Sequence, residues 1–201
     1  MIILRYLNPP NLVTYIGLLL ALSAIMLGWN GYMGFAMISF MGAGLCDLFD
    51  GQLARQMDLS DTERRFGQNL DSLNDTVSFG VVPILLLYSV FQSVWLYPVM
   101  AIYLIAVLTR LAHFDVVGTV QKGKGSYYSG LPVTTSALVI PLFAWILRFS
   151  GAFYLSLLCL TLLALAYFYV SELPVPKPQG AAYLVFPVLM LTMSLLWVMW
   201  P

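Results

Sequence analysis

Apolar stretches of about 18 to 26 residues follow one another along this chain with only short polar links between them. A bilayer hydrocarbon core about 30 Å thick takes roughly 20 helical residues to cross. Inside lipid every backbone N–H and C=O must be bonded within the protein, which leaves helices as the solution for runs of this length. The runs 12–29, 33–57, 66–91, 94–115, 130–149, 152–172 and 181–199 are the candidates. The expected fold is all-α: a polytopic membrane helical bundle of about seven transmembrane helices. Composition points the same way, since 61% of the 201 residues are hydrophobic and 9% are charged, too apolar a balance for a soluble domain. With short connections throughout, residues 1–201 read as a single integral membrane domain.

The few charges are unevenly spread. If the N-terminus is cytoplasmic, Arg5, Arg55, Arg64, Arg65, Arg110, Lys122, Lys124 and Lys177 fall inside, and Arg148 alone of the nine basic residues falls outside. That distribution satisfies the positive-inside rule and predicts an integral protein of the cytoplasmic membrane. All nine acids fall on the same side as the basic cluster, so the functional face is expected to be cytoplasmic. No nucleic-acid partner is expected. Arg5 ahead of an apolar run mimics a signal peptide, but the run is long enough to span and reads as a retained helix. Cys46 and Cys159 lie within apolar segments and read as packing residues.

The chemistry concentrates between Asp47 and Asp75. Asp47 and Asp50 are three apart and share a helix face with Gly51 and Ala54, while Gly67, Asp71 and Asp75 recur every four residues along the next helix. Two antiparallel helices joined by a short link bring these acidic faces together. Four carboxylates at the edge of a bilayer repel one another and desolvate badly. Divalent cations remove both costs, and carboxylate oxygens suit hard ions such as Mg2+ or Mn2+. Small residues between the acids let a ligand approach the backbone. The stretch reads as a metal-dependent site for phosphate chemistry.

The pattern D-x2-D-G-x2-A-R, a gap, then G-x3-D-x3-D resembles the signature of the CDP-alcohol phosphotransferase family, with every fixed position filled. Leu70-Asp-Ser-Leu-Asn-Asp-Thr-Val-Ser-Phe-Gly80, Arg110-Leu-Ala-His-Phe-Asp115, Tyr128-Ser-Gly-Leu-Pro132 and Val170-Ser-Glu-Leu-Pro-Val-Pro-Lys177 resemble its phosphatidylserine synthase branch. His113 and Asp115 depart from that branch, where Arg and Asn are expected, and make the acceptor side less basic. The resemblance implies an enzyme that moves a phosphatidyl group from CDP-diacylglycerol to an alcohol, here serine, and releases CMP. It implies two divalent cations, Mg2+ or Mn2+, held by Asp47, Asp50, Asp71 and Asp75, with Asp75 also the catalytic base. It implies CDP-lipid binding by Asn11, Thr14, Gly51, Ala54, Arg55 and Gly67, and acceptor binding by Arg110 with help from Ser129. Membrane lipids as surroundings and a homodimer as the assembly complete the expectation.

Residue chemistry adds detail. Residues 1–10 are expected along the interface, Pro9-Pro10 to stop any helix before Asn11, and Asn11 to cap the first helix. Gly34 and Gly42 read as sites of close helix contact. The link 56–66 reads as a solvated turn whose Arg64 and Arg65 attract anionic headgroups or a phosphate. Arg110 suits bidentate carboxylate recognition, with a snorkelling anchor as the alternative. His113, the single histidine, reads as a packing or interface residue. The loop 121–128 reads as a mobile basic turn able to close over substrate. Arg148, Trp95, Tyr97, Trp197 and Trp200 read as interface anchors. Two other functions compete: the same transfer to glycerol 3-phosphate or an inositol compound, which Arg64, Arg65, Lys122 and Lys124 would favour, and divalent-cation transport. Transport predicts acids near the midplane and paired repeats, whereas these acids cluster near one surface.

Overall fold

The computed structural model describes residues 6–118, 120–122, 125–176 and 182–199. Helix α1 (Pro9–Trp29) packs most extensively on α2 (Met33–Gln56). Helix α3 (Asp61–Asp75) passes through a π turn (Thr76–Val81), whose hydrogen bonds reach five residues rather than four, into α4 (Val82–Phe91). After a 3-10 turn at Val94–Leu96, α5 (Tyr97–Val117) returns toward the polar end. Strands β1 (Val120–Lys122) and β2 (Gly125–Ser129) follow, then a 3-10 turn (Val133–Thr135) and α6 (Ser136–Leu147). The 3-10 segment Arg148–Phe153 leads into α7 (Tyr154–Val170), and strand β3 (Pro174–Pro176) precedes α8 (Ala182–Met199).

Among the described residues, five stretches are long and apolar enough to cross a membrane: Pro9–Trp29, Met33–Gln56, Asp61–Phe91, Val94–Val117 and Val133–Val170, with Tyr183–Met199 a shorter apolar helix. The protein is therefore an integral membrane protein, but five runs meet the criterion where about seven were expected. The difference lies at the C-terminal end, where 133–170 counts as one stretch although it holds both expected runs 130–149 and 152–172, and Tyr183–Met199 is short of a full crossing. The 133–170 stretch breaks at Gly151 (φ 59°, ψ −124°) and folds back on itself. Tyr154 Oη donates to the Ala144 carbonyl at 3.3 Å, and Tyr169 Oη to the Val133 carbonyl at 3.2 Å. In one straight helix residues 133 and 169 would stand about 54 Å apart. The stretch is a helical hairpin of two short legs.

Several local expectations are corrected. Helix α1 starts at Pro9, not after it, because prolines are tolerated in a first turn whose N–H groups have no helical partner. Asn8 is the cap, its side chain accepting from Asn11 N at 3.0 Å, and Asn11 lies inside the helix. Residues 1–5, including Arg5, lie outside the described residues. The link between α2 and α3 is only Met57–Ser60, because Ser60 and Glu63 form a capping box that starts α3 at Asp61. Asp61, Glu63, Arg64 and Arg65 are thus helical. Trp197 is buried, its Nε1 donating to the Pro141 carbonyl at 3.3 Å, and is no interface anchor; Trp200 lies outside the described residues. Arg148 does lie against the rings of Trp145 and Phe149.

The expected mobile loop is partly a sheet. Strands β1, β2 and β3 pair antiparallel, with Tyr127 opposite Pro176, Tyr128 opposite Val175 and Ser129 opposite Pro174. Lys124 and Lys177 lie outside the described residues. Gly130 ends β2 at φ +81°, where an added Cβ would sit 2.5 Å from the Tyr169 carbonyl oxygen, so only glycine lets the strand close onto the end of α7. One helical turn before Asp47, an added Cβ on Gly44 would lie 2.5 Å from Ala137 Cβ and 3.3 Å from Met190 Cε. Its bareness allows α2, α6 and α8 to meet in a tight seam.

Candidate active site

At one end of the bundle these elements enclose a cavity of about 1100 Å³. Asp47 on α2 and Asp71 and Asp75 on α3 line it, each offering a carboxylate oxygen within 4.8 Å of the others. The spacing explains the meeting: Asp71 and Asp75 are one turn apart on a single face, and the capping box fixes where that face begins. Among the described residues, Asp71 Oδ1 and Asp75 Oδ1 are buried without a hydrogen-bond partner. Buried anionic oxygens without partners are costly. A hard divalent cation is the partner such a set lacks, and the three residues fit one.

Asp50 lines the same cavity but stands outside that trio. It is 5% exposed, and Thr14 Oγ1 donates to its Oδ2 at 2.6 Å. Thr14 therefore reaches the acidic face directly. Asn11 also lines the cavity, its Nδ2 donating to the Tyr6 carbonyl at 2.8 Å and its Oδ1 lying 3.1 Å from where a Cβ on Gly67 would be. Gly51, Ala54, Arg55 and Gly67 complete this wall. Arg55 Nη2 donates to Tyr183 Oη on α8 at 2.7 Å.

The facing wall comes from α5, the sheet and the start of α6. Arg110 is 6% exposed. Its Nε donates to the Leu131 carbonyl at 3.2 Å, and its guanidinium lies 5.2 Å from the Phe114 ring centre and 5.9 Å from that of Tyr128. Buried, bonded and stacked, it is not an interface snorkel. Burial raises the Tyr128 phenol above its ordinary pKa and Tyr183 adds to the effect, while Arg55 and Arg110 oppose it, so the group stays protonated and able to donate. Ser129, expected beside the acceptor, is not among the described lining residues. Its backbone pairs with Pro174 and the chain turns away at Gly130 toward α7. His113 is exposed, and Asp115 accepts from Ser72 Oγ at 2.8 Å, tying α5 to α3.

Phe114, Tyr128, Tyr183 and the apolar side chains Leu138, Val139, Phe186 and Met190 also line the cavity. Tyr128 sits inside the Tyr128–Pro132 stretch that resembles the phosphatidylserine synthase branch, so the sequence carried a signal for it. Nothing in the sequence marks Tyr183, whose partner lies 128 residues earlier. The cavity thus joins an acidic head to an apolar wall on α6 and α8. It suits a molecule with a phosphorylated head and a greasy remainder.

The comparisons agree with that chemistry. The CDP-alcohol phosphatidyltransferase family model matches residues 7–200. The chain is 30% identical over 175 residues to an archaetidylserine synthase of Methanothermobacter thermautotrophicus, covering 85% of this chain and 70% of that protein. It is 39% identical over 109 residues to a CDP-diacylglycerol–serine O-phosphatidyltransferase of Saccharomyces cerevisiae, covering 50% of this chain and 38% of that one. A protein of the latter name from Mycobacterium bovis is 30% identical over 153 residues, covering 73% and 52%. The chain therefore spans only about four-tenths to seven-tenths of the length of these relatives. A match over nearly every residue, on a chain whose acids meet where the signature puts them, places it in the CDP-alcohol phosphatidyltransferase family.

Proposed function

We propose that the chain acts as a single catalytic domain that transfers a phosphatidyl-type group from CDP-diacylglycerol to L-serine, giving phosphatidylserine and CMP. The observation that carries the reading is the Asp47–Asp71–Asp75 cluster with its two orphaned buried oxygens, set in a cavity that runs on to an apolar wall. The names of the relatives place serine beside both archaetidyl and CDP-diacylglycerol chemistry, which supports the acceptor and leaves the donor's chains to the apolar wall. The cluster, joined by Asp50, would hold two divalent cations, Mg2+ or Mn2+. When bound, such ions neutralise the diphosphate and the charge that develops on departing CMP.

The chain's own groups do the rest. Asn11, Thr14, Gly51, Ala54 and Gly67 leave room for the nucleotide end, and Arg55 lowers the charge cost beside it. Arg110, held by the Leu131 carbonyl and its two aromatic neighbours, takes the serine carboxylate. Asp75 accepts the proton of the serine hydroxyl. The serine oxygen forms its bond to the lipid-side phosphorus as the bond from that phosphorus to CMP breaks. The site lies on the cytoplasmic side of the cytoplasmic membrane, as the basic residues on that side favour, and the assembly is a homodimer.

The decisive experiment incubates purified protein with CDP-diacylglycerol, Mn2+ and one alcohol at a time, measuring CMP. CMP release that requires serine is expected. Release with glycerol 3-phosphate or an inositol compound in place of serine would reassign the acceptor, and none with any alcohol would remove the transferase reading.

A further inference from the structure

The π turn at Thr76–Val81 begins immediately after Asp75. Wide turns of this kind are uncommon and have identifiable causes. Here the cause is Pro83, which sits inside the continuous run Asp61–Phe91. Proline has no N–H for the carbonyl four residues back, and its ring crowds that carbonyl in a regular α-helix. The carbonyl concerned belongs to Phe79. Widening the turn relieves the crowding, as seen in the Val82 N–H bonding to the Val77 oxygen five residues back.

The Phe79 oxygen has a replacement donor from another helix. Tyr103 Oη on α5 donates to it at 2.8 Å. Both residues are 0% exposed, so no water competes for the bond. Phe79 lies one turn beyond Asp75, in the π turn that continues α3. Arg110 lies two turns beyond Tyr103 along α5, on the same face. One buried hydrogen bond therefore ties the helix that carries the acids to the helix that carries the buried arginine.

We propose that Tyr103 is a positioning residue, whose hydroxyl pins the π turn to α5 and sets the rotation and height at which Asp71 and Asp75 meet Asp47. The inference rests on reading that cluster as a divalent-cation site. Tyr103 touches no substrate; it acts through the backbone of α3.

The test measures binding of Mn2+ alone to purified protein, from the spectrum of the free ion, with no substrate present. Tyr103→Phe keeps the ring and its packing on Tyr169 while deleting the oxygen. It is expected to weaken Mn2+ binding about tenfold, the size of one buried hydrogen bond. Tyr154→Phe removes a comparable hydroxyl-to-carbonyl bond at the far end of the bundle and is expected to change binding by less than about twofold. In a Pro83→Ala background residue 83 has its own N–H for Phe79, so the loss from Tyr103→Phe should shrink below about twofold. Equal losses from both tyrosine variants, unchanged binding by Tyr103→Phe, or an undiminished loss beside Ala at 83 would each overturn the proposal. Should Tyr103→Phe alone not fold, the double variant decides: recovery of folded, Mn2+-binding protein supports it, and failure overturns it. A wild-type protein that binds no Mn2+ would instead overturn the cation-site reading itself.

Discussion

The two walls of the cavity are made in different ways. The acids of one wall all come from two consecutive helices and are contained within residues 47–75. The facing wall takes Arg110 from α5, Tyr128 from β2, Leu131 from the turn beyond it and Tyr183 from α8. In the first, helical spacing alone puts the reacting groups on one face. In the second, a residue gains its place only after distant elements pack. The division also separates tasks: the acids suit the shared diphosphate chemistry, and the facing wall suits the choice of acceptor.

The largest effect should come from the acidic wall. Asp75→Asn should lower turnover by at least about a thousandfold. The metal-free thermal midpoint should hold or rise, because the change removes a charge from a crowded buried cluster. Turnover near wild type would end the assignment of Asp75 as base. Next, Arg110→Lys should raise the serine KM about tenfold to a hundredfold, since a lysine cannot offer the planar pair of donors. The KM for CDP-diacylglycerol should move less than about twofold if the walls act separately; equal shifts would dissolve the division of tasks. Thr14→Val removes the donor to Asp50 and should lower kcat/KM about fivefold to tenfold through the donor lipid rather than serine. Steady-state kinetics in both substrates would check it. Tyr183→Phe should do least, under about threefold in either KM, because the Arg55–Tyr183 bond is solvent-exposed. A larger change would mean that this contact between the walls matters to both.

The same contrast explains what could be read in advance. The helical membrane fold and the meeting of Asp47, Asp71 and Asp75 follow from apolar run length and helical spacing, whereas the burial of Arg110 depends on Leu131 and Tyr128 packing against it. The break at Gly151 was legible as well, because the apolar runs 130–149 and 152–172 part there. Ser129 was placed beside the acceptor from its neighbours in sequence, but strand pairing and the turn at Gly130 carry it elsewhere. Trp197 was read as an interface anchor because tryptophans favour the ends of membrane-spanning runs; its indole instead reaches across to the Pro141 carbonyl on α6 and is buried. The capping box Ser60–Glu63 was legible and overlooked: read as a helix start, it shortens the polar link to four residues.

The seam at Gly44 carries a kinetic consequence. Gly44 sits about one helical turn, some 5 Å, beneath Asp47, and there α2, α6 and α8 close together. A nucleotide-linked lipid held at the acids cannot bury two long chains straight down, so they leave sideways and stay dissolved among their neighbours. Donor and product then reach and quit the enzyme by diffusing in two dimensions. The quantity that saturates it is the mole fraction of donor in the surrounding amphiphile, and dilution with inert detergent at fixed bulk molarity should slow the reaction as surely as withholding substrate.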